Sequence, residues 1–226
     1  CDGRLTMQQN KSEIKEKIRA FWDNSHQNYD AVAAHGVHSE EEMVMWRQGM
    51  QRLLGEKKSL KILDIGTGTG FLALLLARMG YNVTGADWAE SKISQAKDKA
   101  RADDIAVQFQ VEDAEKLTLE SSGFDAVVSR HVLWTLSDPY AAAREWVRVT
   151  KTGGRVIVDI PRMGSHSGSH HFGAEIGRNL PFYNGADPEE VEAMLKGAGL
   201  INIGTLMLET AGEEEKKTLL VYGEKA

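Results

Sequence analysis

Residues 60–87 read LKILDIGTGTGFLALLLARMGYNVTGAD, and this stretch limits the possible folds more than any other part of the chain. A short apolar run of strand length meets a glycine-rich turn. A nine-residue, largely apolar run of helix length follows, closed by Gly80, and then a second strand ends in Asp87. Strand, helix and strand in that order predict a right-handed crossover between parallel neighbours, buried on both faces. The alternation continues. SKISQAKDKARADD is a charged amphipathic helix, while AVQFQVED and FDAVVSR are further strands. Asp138-Pro139 is a helix start, N-cap followed by first helical residue, for YAAAREWVRV, and GRVIVDIP is a fifth strand.

Both ends of the chain depart from this pattern. Residues 1–58 show no strand signal. KSEIKEKIRAFW places Ile14, Ile18, Phe21 and Trp22 on one helical face. Ser39 is an expected N-cap with Glu40 to Glu42 in the first turn, for a helix running to Leu54 and stopped by Gly55. At the other end DPEEVEAMLKGAG is a helix closed by glycines. LINIGTLMLE and KTLLVYGE follow, joined by a link short enough for an antiparallel hairpin.

Composition narrows the function classes. Of the 226 residues, 42% are hydrophobic and 27% charged, as in an ordinary globular protein. The net charge of −6 is spread evenly and forms no basic stripe, so binding to nucleic acid is not expected. Cys1 is the only cysteine, which excludes an internal disulfide. No run reaches the roughly 18 apolar residues of a membrane span, and no apolar signal core precedes the charged KSEIKEKI, so no membrane association and a cytoplasmic location are expected.

The turn Asp64-Ile65-Gly66-Thr67-Gly68-Thr69-Gly70 allows a ligand to lie against the backbone at a helix start. Its spacing is G-x-G-x-G. The dinucleotide fingerprint requires glycine where this chain has Phe71, which counts against a nicotinamide-dependent oxidoreductase. Asp87 ends the second strand, where a carboxylate can accept from a ribose diol or simply cap a turn. Asp113 ends the third strand, within reach of an adenine amino group, though a plain turn acid would look the same.

Together these segments resemble the class I S-adenosylmethionine-dependent methyltransferases, nearest in style to the ubiquinone/menaquinone-biosynthesis type. The resemblance rests on ILDIGTGTG (62–70), VTGADWAESKISQAK (83–97), QVEDAEKL (110–117), FDAVVSRHVLWTLSDP (124–139) and TKTGGRVIV (150–158), with FWDNSHQNYD (21–30) before them. It implies an α/β fold: a seven-stranded, mostly parallel, Rossmann-like sheet with an antiparallel terminal hairpin. A helical cover (1–58) would precede the methyltransferase domain (59–226), whose residues 161–185 would be a substrate loop. S-adenosylmethionine would be the cofactor. Gly66, Thr67 and Gly68 would line its methionine part above Asp64, Asp87 would hold the ribose, and Trp88 would pack beside the adenine. Asp113 and Ala114 would meet the adenine edge, and Tyr29 would close over the cofactor. The usual Lys-Pro-Gly-Gly turn reads Lys151-Thr152-Gly153-Gly154 here.

Such a cofactor carries its own electrophile, so the protein must align a nucleophile and supply a base only where that nucleophile keeps its proton. Arg130 and His131 follow the fourth strand, beside the expected methyl position. His131 is the candidate general base, since imidazole titrates near neutrality, or else a brace for the cofactor. Arg130 is counted with the cofactor-binding residues, and is otherwise expected to pair a carboxylate of the acceptor or of a neighbouring segment. Trp134 either walls the substrate pocket or fills the core. His170 and His171 are candidate substrate contacts in a serine- and glycine-rich segment, and no metal site is expected there. Asp138-Pro139-Tyr140 lacks the second proline of the amine-methylating signature it superficially matches. The resulting expectation is an enzyme, monomeric or homodimeric, that methylates a small-molecule acceptor. A non-catalytic sensor of the cofactor and an RNA or protein methyltransferase are the alternatives.

Overall fold

The computed structural model describes residues 2–24, 39–160, 172–210 and 217–226. Helices α1 (Asp2–Asn24) and α2 (Glu40–Leu54) precede β1 (Lys61–Ile65), α3 (Phe71–Arg78), β2 (Asn82–Asp87), α4 (Glu90–Ala102) and β3 (Gln108–Val111). β4 (Phe124–Ser129), a 3-10 turn at Leu133–Thr135, α5 (Pro139–Val149) and β5 (Thr150–Asp159) follow. The chain closes with α6 (Gly173–Gly177), α7 (Pro188–Gly197), β6 (Leu200–Glu209) and β7 (Lys217–Lys225). One seven-stranded sheet has the order β3-β2-β1-β4-β5-β7-β6. The first five strands are parallel, and β7 lies antiparallel between β5 and β6.

The local signals act as chain chemistry requires. Ser39 Oγ accepts the Glu42 N–H at 3.2 Å, and Gly55 ends α2 at φ +75°. Asp138 Oδ1 accepts the Ala141 N–H at 3.0 Å, with Pro139 in the first turn. In β1 every residue after Lys61 is buried, as a central strand covered on both faces must be. Lys151 to Gly154 form no separate turn. They bulge within β5, whose pairing with β4 jumps from Phe124↔Thr150 to Ala126↔Arg155. Gly153 has φ +74°, and a Cβ at Gly154 would lie 2.6 Å from the Asp125 carbonyl.

Two apolar layers flank the sheet. One joins α5 and α7 to its face through Trp146, Val191 and Leu195, and the other joins α2 and α3 through Trp46, Met50 and Leu75. A third cluster docks α1, with Ile14 and Ile18 packed against Trp134, Phe172, Leu180 and Tyr183. The second half of the expected substrate loop is therefore partly core, since Phe172, Leu180, Phe182 and Tyr183 are all buried. His170 and His171, like Tyr29, lie outside the described residues.

Candidate active site

Chain order along the sheet reverses between β1 and β4, and the loops leaving their carboxyl ends diverge there. In open α/β sheets this is where ligands bind. The structure has a cleft at that place, enclosing about 1090 Å³ that is partly open to solvent. Gly66, Thr67, Gly68, Asp87, Trp88, Asp113, Ala114, Arg130 and His131 all line it.

One end is built on the glycine turn. Gly66, Gly68 and Gly70 all have positive φ, a backbone state that side chains disfavour. A Cβ on Gly66 would collide with Val132 Cγ2 at 2.1 Å, whereas a Cβ on Gly68 would meet nothing within 4 Å and would occupy the cleft. Asp64 does not reach the cleft wall. It is buried beneath the turn, where its Oδ2 accepts the Thr67 hydroxyl at 2.7 Å. Burial pushes its pKa up to about 7 against the pull of that hydrogen bond and of the Arg130 charge.

Asp87 ties the turn to β2. Its Oδ2 accepts the Gly68 N–H at 2.8 Å and its Oδ1 the Ala89 N–H at 2.9 Å. Burial raises its pKa; the two amides and the Lys92 charge oppose the rise. Each carboxylate oxygen keeps a further lone pair for a hydroxyl. Trp88 lies beside it, with Lys15 and Arg19 of α1 over its ring at 5.0 and 5.8 Å.

Lys15 was not foreseen from the sequence. Its Nζ lies 2.6 Å from Asp113 Oδ2 and 2.9 Å from Glu115 Oε2. Burial lowers its pKa, but the two carboxylates outweigh this and leave it raised. Glu115 in turn accepts from the N–H groups of Ser137 and Asp138 at 2.8 and 2.9 Å, so it links α1 to the chain leaving the 3-10 turn. Nothing local to KSEIKEKI announces this, because the partners are about a hundred residues away.

At the other end, the Arg130 guanidinium lies over Phe71 and Trp46 at 4.8 and 5.3 Å. His131 follows in the left-handed region, φ +59°. Its backbone N–H donates to Asp159 Oδ1 at 2.8 Å, and its Nδ1 lies 3.3 Å from Asp159 Oδ2. Asp159 is buried, and burial pushes its pKa up to about 6 against the His131 amide and the Arg130 charge. Trp134 does not line the cleft. The 3-10 turn sends it inward to full burial, stacked on Phe172 at 5.5 Å and clustered with Ile18, and it meets the cleft residue Trp22 edge-on at 6.1 Å. Trp22 and Ile18 are the apolar cleft residues supplied by α1.

The residues present suit S-adenosylmethionine. The side-chain-free wall at Gly68, the twin acceptors of Asp87, the indole of Trp88 and the Asp113–Ala114 edge match a methionine chain, a ribose and an adenine. When bound, this group would supply an activated methyl. Among the described residues no group of three or more His, Cys, Asp or Glu side chains could hold a metal ion, and no described helix is long and apolar enough to cross a membrane.

Comparison with known proteins agrees with this geometry. Residues 63–158 match the family described as a methyltransferase domain. The chain is 32% identical to a demethylmenaquinone methyltransferase of Thermus thermophilus over 191 residues, covering 79% of this chain and 85% of the relative. It is 30% identical to a ubiquinone/menaquinone biosynthesis C-methyltransferase of Bdellovibrio bacteriovorus, covering 66% of this chain and 63% of the relative. A phosphoethanolamine N-methyltransferase of Haemonchus contortus, solved with S-adenosyl-L-methionine, shares the fold with TM-score 0.69 at 18% identity, over 92% of this chain and 60% of that one. The chain belongs to the class I S-adenosylmethionine-dependent methyltransferases of the ubiquinone/menaquinone-biosynthesis type.

Proposed function

We propose that this methyltransferase acts on a small, flat acceptor bearing a ring hydroxyl, of the quinone-precursor class named for its relatives. The observation that carries this reading is the acceptor end of the cleft. His131 stands on its wall at the edge of β4, while Ile18 and Trp22 of α1 line the same cleft with apolar surface. An apolar slot with one titratable group suits an aromatic hydroxyl better than a polymer, and the acidic net charge gives nucleic acid no purchase. Gly66, Thr67 and Gly68 would hold the amino acid part of the cofactor together with Arg130. Asp87, Trp88, Asp113 and Ala114 would hold its nucleoside.

In this reading His131 takes the hydroxyl proton. The resulting phenolate can attack through oxygen, or through the ring carbon beside it, so one base serves either acceptor atom. A cytoplasmic setting belongs to the same proposal. The test is calorimetric titration with S-adenosylmethionine, S-adenosylhomocysteine and NADH, followed by transfer of a labelled methyl to hydroxylated aromatic acceptors. Binding of the first two ligands and label in the aromatic fraction are expected. Tight binding without transfer to any acceptor would favour a cofactor sensor. Transfer to RNA or protein alone would overturn the choice of acceptor.

A further inference from the structure

We propose that Lys15 is a positioning residue that couples the two ends of the cleft. A nucleoside bound beside Asp113 holds α1 in place through Lys15, and the same helix then presents its apolar wall to the acceptor. The inference rests on the acceptor lying against Ile18 and Trp22, and it assigns a task to a charge that the sheet domain alone does not supply.

Lys15, Ile18 and Trp22 all line the cleft, although they belong to a helix outside the sheet. Their spacing of three and then four residues puts them on one face of α1. Lys15 stands at the nucleoside end. Its Nζ lies 2.6 Å from Asp113 Oδ2, 2.9 Å from Glu115 Oε2 and 5.0 Å from the centre of the Trp88 ring. Trp22 follows two turns later, about 10 Å further along the helix axis. There it packs edge-on against Trp134 and Phe172, beside Ile18 in the same cluster. One helix face therefore touches both ligand sites.

The platform beneath Lys15 is held without α1. Asp113 Oδ1 accepts the Glu115 N–H at 2.9 Å, the Asp113 carbonyl accepts the Lys116 N–H at 2.9 Å, and the Ala114 carbonyl accepts the Trp146 indole N–H at 3.1 Å. The helix is thus the partner that docks. Its Lys15 bridge is also well shielded. The side chains of Lys15, Asp113 and Glu115 are 19%, 23% and 9% exposed, whereas Glu90, which Arg19 reaches, is 73% exposed. Solvent screens the second contact far more than the first.

A nucleoside against Trp88, Asp113 and Ala114 meets the sheet domain and, at Lys15, α1 as well. It binds the docked helix better than an undocked one, and it stabilises docking by the same free energy that docking adds to its affinity. It also displaces water from the bridge, which strengthens the attraction between Lys15 and the two carboxylates. Because Ile18 and Trp22 share that face, the docking favoured by the nucleoside completes the apolar wall before the acceptor arrives. Lys15 acts on the acceptor only through the helix.

Hydrogen exchange in α1 reads this coupling directly. 5′-Methylthioadenosine has the purine and ribose of the cofactor without its amino acid part. At saturation, checked by calorimetry, it should slow exchange across residues 12–24 at least about fivefold, as much as S-adenosylhomocysteine does. Protection by S-adenosylhomocysteine alone would place the coupling at the amino acid end and overturn the proposal without any variant. So would the absence of protection by either ligand. In Lys15→Met, 5′-methylthioadenosine should still bind but no longer slow exchange in α1, and Lys15→Arg should restore the protection. A Met variant protected as well as the native protein would overturn the role of Lys15. With an acceptor that the native protein methylates, Lys15→Met should raise the acceptor KM at least about fivefold while kcat changes less than about twofold. A lower kcat at unchanged KM would overturn the positioning role. If the exchange results hold but the native protein methylates no hydroxylated aromatic, the choice of acceptor fails and the link between Lys15 and the nucleoside stands.

Discussion

Gly66 and Gly68 share a backbone state but not a neighbourhood, and their alanine variants separate folding from binding. Gly66→Ala adds a methyl inside the Val132 side chain as well as strain at φ +67°, so both stability and cofactor affinity should fall. Gly68→Ala meets no protein atom within 4 Å, so its stability loss should be limited to about 1–2 kcal/mol of backbone strain, while a methyl added to this cleft-lining residue should weaken cofactor binding. Chemical denaturation and calorimetry measure the two effects. Much of this was legible beforehand, because a glycine turn between strand and helix is a local property of the sequence. The position of Trp134 was not legible. Whether it walls a pocket or fills a core depends on the 3-10 turn, which no hydrophobic period marks. Being fully buried among Phe172, Tyr183 and Ile18, it should cost about 3–5 kcal/mol of stability when replaced by alanine.

Helix α1 is held to the sheet domain by an apolar face and by charge. Arg19 reaches Glu90 at 3.4 Å, Asp23 Oδ1 accepts the Ser91 N–H at 3.2 Å, and Lys15 spans Asp113 and Glu115. The apolar stripe of α1 was readable from its spacing, but its docking site was not, because Lys15 meets Asp113 across 98 residues of sequence. Lys15→Met keeps the stem and removes the charge, leaving two carboxylates that repel each other. Hydrogen exchange in α1 should speed up, with little change in the sheet. Cofactor affinity should become less sensitive to salt than in the native protein, because a screened ion pair no longer helps to close the cleft. The same limit explains why Asp159 was missed. Its pairing with His131 depends on the register of two strands and spans 28 residues.

Across the whole molecule, the carboxylates at the cleft make stability depend on pH. Burial pushes the pKa of Asp64 up to about 7 and that of Asp159 up to about 6, above the ordinary aspartate value of 3.8. Raised acids of this kind favour the fold fully below about pH 4, and that contribution is lost as pH rises through 6 and 7. Glu145, Asp125 and Glu224 are shifted downward by Arg148, Lys151, and Asn202 with Arg155, so their support is lost only in more acidic solution. Urea denaturation should therefore show lower stability at pH 8 than at pH 5. In Asp64→Asn that difference should shrink by a few kcal/mol at most. The overall topology was legible in the alternation of strands and helices, because each βαβ unit is local and has one favoured hand. β7 is the exception in order of assembly. It fills the gap between β5 and β6, so during synthesis β5 remains an open edge until residues 217–225 have emerged. A nascent chain stalled before that point would present a bare apolar strand to its neighbours, which makes the last strand the guard against aggregation.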